Sequence, residues 1–70
     1  MTGIKKYREQ AGMTQLELAE AIGVTQSAVA MWESGLRKPD IFSLMRIAKE
    51  LKCTTDALLE GISLKAERGN

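Results

Sequence analysis

The segment that most restricts how this chain can fold runs from Thr14 to Ser34. Thr14-Gln15-Leu16-Glu17 has the form of a capping box, in which the threonine hydroxyl and the glutamate carboxylate each take an orphan amide of a starting helix. Leu18, Ala19 and Ile22 follow at helical spacing, and Gly23 can take the positive φ at which a chain leaves a helix sharply. Thr25 is a good N-cap for another helix, which carries Val29 and Trp32 inward and runs to about Ser34 with Gly35 just beyond. Only Gly23, Val24 and Thr25 separate the two helices, so they must cross at a steep angle. Ala19 has to be small where the later helix passes above it, and Leu18, Ile22, Val24, Val29 and Trp32 fill the wedge between them.

Similar punctuation divides the rest of the chain. A first helix fits residues 3–11, with Ile4, Tyr7 and Arg8 on one face and Gly12 placed to end it. Pro39 and Asp40 introduce a fourth helix with apolar positions at Ile41, Leu44, Met45, Ala48 and Leu51. Thr54 can cap a fifth, carrying Leu58 and Leu59 to Gly61. No segment alternates apolar and polar residues as a half-buried strand does, and there is no internal repeat. The expected fold class is therefore all-α, a compact five-helix bundle. Residues 1–61 form one domain, as a length of 70 residues dictates, and 62–70 form a tail that is frayed or meets a partner.

Composition mainly excludes. With no histidine and one cysteine, Cys53, neither a zinc site at the usual spacings nor an internal disulfide can be written, which favours a reducing, cytoplasmic setting and no metal or other cofactor. The uncharged run from Val24 to Trp32 carries Thr25, Gln26 and Ser27 and is too short for a membrane span. An enzyme is a poor reading, for the chain lacks a plausible activated nucleophile and a phosphate-cradling glycine loop. The net charge of +1 does not by itself mark a nucleic-acid binder. Placement says more: basic residues cluster at Lys5–Lys6 and Arg37–Lys38, whereas Glu17, Glu20, Glu50, Asp56 and Glu60 lie in the helical segments.

Several strings together resemble the Cro/C1-type helix-turn-helix family, the phage-repressor-like regulators also called XRE-like. They are Ile4 to Arg8, Thr14 to Gly23, Val24 to Val29, Trp32 to Gly35, Lys38-Pro39, and Leu44 through Leu59, so the likeness covers about residues 4–60. It implies a lambda-repressor-like bundle in a bacterial or phage setting that binds double-stranded DNA, with helix 3 in the major groove and helix 2 across the backbone. Gln15 matches a family glutamine that bonds a phosphate and braces Gln26, the first residue of helix 3. A glutamine amide presents a donor beside an acceptor, which suits adenine N6 and N7, so Gln26 is the leading base reader. Ser27, Ala30 and Met31 are expected on the same face, Ser27 bonding to a base and the other two making apolar contact. Phosphate contacts are expected from Thr14, Gln15, Thr25, Ser34, Arg37 and Lys38. The resemblance also pairs Arg8 with Glu33 in a partly buried, structural ion pair, and places Cys53 where an apolar residue is usual, so burial outweighs reactivity there.

One bidentate side chain discriminates between bases by about 1–3 kcal/mol, whereas useful operator specificity stands roughly 4–10 kcal/mol above non-specific binding. A homodimer, at least on DNA, closes that gap. Relatives pair through surfaces matched here by Pro39, Asp40, Ile41 and Phe42 and by Lys52, Cys53, Thr54 and Thr55. The expected function is a transcriptional regulator, most simply a repressor on a palindromic operator. The alternatives are an antitoxin with a toxin partner, a restriction–modification controller, or a protein-interaction adaptor that has lost DNA binding; Gln15, Gln26, Arg37 and Lys38 argue against the last, while Ala30 and Met31 keep it open.

Overall fold

The computed structural model describes residues 2–59. Among the described residues five helices follow one another: α1 (Thr2–Gln10), α2 (Gln15–Ile22), α3 (Gln26–Ser34), α4 (Ile41–Leu51) and α5 (Thr55–Leu58). No strand occurs among the described residues. The all-α, five-helix expectation holds; α5 is in place by Leu58, while Gly61 and the tail at 62–70 lie outside the described residues.

Each helix after α1 begins on a side chain that accepts one of its first free amides. The Thr14 hydroxyl takes the Glu17 N–H at 3.0 Å while the Glu17 carboxylate takes the Thr14 N–H at 2.8 Å, completing the capping box. Thr25 takes the Ala28 N–H and Thr54 the Ala57 N–H, each at 3.1 Å. Asp40 takes the Ser43 N–H at 2.8 Å, and that bond holds its exposed carboxyl below the usual carboxylate range. Gly23 has φ 79°, and the Val24 N–H returns to the Ala19 carbonyl at 2.9 Å, so α2 closes as its sequence predicts.

Ile4, Leu18, Ala19, Ile22, Val29, Trp32, Leu44, Ile47, Ala48, Leu51 and Leu58 form one core, against which Tyr7, Val24, Cys53 and Leu59 pack. α2 packs chiefly on α3 and α4, and α1 bridges α3 to α5. The stripe expected on α4 needs correction. Ile41 and Met45 are 59% and 55% exposed, and Ile47 is fully buried instead. At the helical period the core face of α4 is centred on Leu44, Ile47, Ala48 and Leu51, which leaves Ile41 and Met45 at its margin and Phe42 on the opposite side.

Candidate nucleic-acid interface

α3 is an amphipathic helix with a narrow buried side. Val29 and Trp32 anchor it in the core, and Ala28 packs against that core from the flank. The opposite arc carries Gln26, Ser27, Ala30, Met31 and Ser34, which at the helical period spans about 140°. Gln26 and Ser27 are exposed, whereas Ala30 and Met31 are half-buried, so the four are graded in reach rather than equally free. The position of Gln26 follows from its neighbour: Thr25 caps the helix with extended backbone, and Gln26 is the first helical residue beyond it.

The polar residues expected at phosphates surround this arc at both ends. Thr14 and Thr25 are exposed, and each hydroxyl keeps its own proton while accepting a helix amide. Arg37 and Lys38 are exposed in the connection after α3, where the Arg37 N–H bonds the Met31 carbonyl at 3.2 Å. Ser34 is also exposed, but its hydroxyl donates to the Met31 carbonyl at 3.1 Å, so that proton is engaged. Among residues expected at a dimer surface, Ile41 and Phe42 are apolar and largely exposed, at 59% and 72%, and Lys52 is exposed. Pro39, Cys53 and Thr55 are half-buried, and Asp40 and Thr54 are exposed but occupied as helix caps. Burial pushes the Cys53 thiol up, which fits packing rather than reactivity.

An ion-pair network ties the last turn of α3 to α1 and α2. Arg8 Nε donates to Glu33 Oε2 at 2.6 Å and Arg8 Nη2 to Glu33 Oε1 at 3.0 Å, with side chains only 10% and 5% exposed. Arg8 Nη1 donates to the Met13 carbonyl at 2.8 Å. Burial pushes the Glu33 carboxyl up, but hydrogen bonds from Arg8 and Gln15 and the charges of Arg8 and Lys5 outweigh it and leave the group below its ordinary range. The hydrogen bond to Glu33 in turn raises Arg8 further. The expected ion pair is thus present. The expected bracing of Gln26 by Gln15 is corrected: Gln15 Nε2 donates instead to Glu33 Oε1 at 3.0 Å, near the end of α3 opposite Gln26. The reason is electrostatic, since a buried carboxylate is a stronger acceptor than an exposed amide.

One positioning contact was not foreseen. Arg46 Nη1 on α4 reaches the Ile22 carbonyl at 3.3 Å and places a cation at the C-terminus of α2. Nothing local in the sequence marks it, because the partners are far apart along the chain. Among the described residues there is no group of side chains suited to hold a metal ion, and no helix is long and apolar enough to cross a membrane.

Comparison with known proteins agrees with this geometry. Residues 4–58 match the family described as Helix-turn-helix. The uncharacterised HTH-type transcriptional regulator YqaE of Bacillus subtilis is 38% identical over 60 residues, which cover 86% of this chain and 52% of YqaE, so the chain spans about half that relative's length. The P22 c2 repressor, crystallised in complex with a synthetic operator, superimposes with a TM-score of 0.79 at 30% identity, covering 86% of this chain and 91% of that one. The N-terminal DNA-binding domain of SinR from Bacillus subtilis gives 0.75 at 33% identity, covering 86% and 88%. Together with the capped α2–turn–α3 unit, these matches establish that the chain belongs to the helix-turn-helix family, of the Cro/C1 type.

Proposed function

We propose that this protein binds double-stranded DNA in a sequence-specific manner and regulates transcription, with α3 in the major groove and the N-terminus of α2 over the backbone. The observation that carries the reading is the arc of α3: Gln26 and Ser27 stand exposed at the start of a helix whose other side is fixed in the core by Val29 and Trp32. A rigidly seated helix holds its base-reading groups in place before binding, so little ordering cost is left for the complex. Gln26 reads adenine through its paired donor and acceptor, Ser27 adds a hydrogen bond, and Ala30 and Met31 contribute apolar contact. Thr14, Gln15, Thr25, Ser34, Arg37 and Lys38 fix the register on phosphates. The similarity to a repressor solved on its operator supports repression, and the exposed Ile41 and Phe42 support pairing of two copies. Two α3 helices on a two-fold axis would read half-sites about 34 Å apart.

Selection of bound sites from random duplex DNA, followed by Gln26→Ala on the selected site, tests this. The substitution should cost about 1–3 kcal/mol and relax preference at one base pair of each half-site. Unchanged preference would remove Gln26 as a base reader. Removing Arg37 or Lys38 should weaken all sequences alike and reduce the salt slope by about one unit each.

A further inference from the structure

The Glu33 carboxylate is shared by three elements. Its Oε1 accepts from Gln15 Nε2 and from Arg8 Nη2, each at 3.0 Å, and its Oε2 accepts from Arg8 Nε at 2.6 Å. Arg8 uses its remaining terminal nitrogen on the carbonyl of Met13, directly before the Thr14 cap of α2. One buried acid in the last turn of α3 therefore fixes both the first residue of α2 and the linker that leads into it. This is more than an α1–α3 tie.

The chemistry of the amide gives the arrangement a consequence. An ionised carboxylate only accepts hydrogen bonds, so Gln15 must turn its NH2 and not its oxygen toward Glu33. That excludes the flipped amide and leaves the second N–H of Gln15 with a fixed direction. A phosphate, also an acceptor only, needs such a donor. We propose that Glu33 is a positioning residue for DNA binding: by locking the Gln15 amide, it sets the phosphate contact in register with the base-reading face of α3. The proposal rests on the reading above in which Gln15 meets a phosphate.

The test is a double-mutant cycle in the full chain, with affinities for the selected operator and for a mismatched duplex measured where each variant is folded by circular dichroism. Gln15→Ala should weaken both duplexes roughly tenfold. Glu33→Asp keeps a carboxylate for Arg8 but retracts it by one methylene; it should weaken both duplexes comparably in the otherwise wild-type chain and change affinity less than twofold in Gln15→Ala. Equal losses from Glu33→Asp in the two backgrounds would overturn the positioning role while leaving DNA binding intact. Wild-type affinity in Gln15→Ala would overturn the phosphate contact of Gln15 and the proposal with it, and failure of the intact chain to select any duplex would overturn the DNA reading itself. Should Glu33→Asp not fold, side-chain amide exchange in the intact chain decides: the Glu33-bound proton of Gln15 should exchange more slowly than its geminal partner, and equal, rapid exchange of both would refute the lock.

Discussion

Two corners of this molecule are built on one hydrogen-bond plan from different residues. In the first, Gly23-Val24-Thr25 joins α2 to α3; in the second, Lys52-Cys53-Thr54 joins α4 to α5. Each opens with a left-handed residue, at φ 79° for Gly23 and 56° for Lys52. In each, the next amide returns to a carbonyl five residues back at 2.9 Å, Val24 to Ala19 and Cys53 to Ala48. Each middle residue packs half-buried on the core, and each closing threonine caps the following helix at 3.1 Å. The backbone frame is therefore generic, and its cost depends on the residue at the left-handed position. Glycine adopts that conformation freely, whereas an L-residue with a Cβ pays roughly 1–2 kcal/mol.

The corners also differ in what clamps them to α1. What is clamped is a helix leaving each corner: α3 is tied at its far end through Arg8 and Glu33, and α5 by close approach at Gly3, where a Cβ would lie 2.5 Å from the carbonyl oxygens of Ala57 and Leu58. The largest expected effect comes from breaking the first clamp. Glu33→Gln should lower unfolding free energy by about 3–5 kcal/mol, because it leaves the Arg8 guanidinium buried without its counter-charge; denaturant titration measures this. The sign with pH follows from the lowered carboxyl. Its stabilisation is present at neutral pH, above the unfolded-state value, and is lost as pH falls through the lower folded-state value. The acid loss of stability should therefore be shallower in Glu33→Gln than in the wild type.

Breaking the second clamp should cost less. Gly3→Ala would normally favour a helix, but here the added carbon meets backbone oxygens that cannot rotate away. We expect a net loss of about 1–3 kcal/mol, and a gain would mean that α1 and α5 are not in close contact. The smallest effects should come from exchanging the left-handed residues. Lys52→Gly should stabilise and Gly23→Ala destabilise, each by roughly 0.5–1 kcal/mol after allowance for the unfolded chain. Paired thermal melts with shifts of the same sign would show that the two corners do not share one conformational requirement.

The first corner was legible because its signals are local. Thr14, Glu17, Gly23 and Thr25 act on residues within one turn of themselves, and Leu18, Ile22, Val29 and Trp32 repeat at the helical period. The second was legible only in part: Thr54 announced α5, but nothing at Lys52 announced the end of α4, since an L-residue is held in a left-handed conformation by the fold around it. Periodicity likewise promised Ile41 and Met45 to the core, but an apolar residue at the margin of a stripe can face either way.

The helical class, the capped starts, the glycine-closed turn and hence the outward-facing residues of α3 follow from local sequence. These are set by backbone conformation and by hydrogen bonds that span a few residues. Only the tertiary structure decided that Gln15 meets Glu33 rather than Gln26, that Arg46 closes α2, and that Gly3 must stay bare for α5 to approach. Those outcomes depend on distances between residues 18 to 55 positions apart along the chain, which are fixed when the helices dock and a buried carboxylate takes the strongest donors within reach.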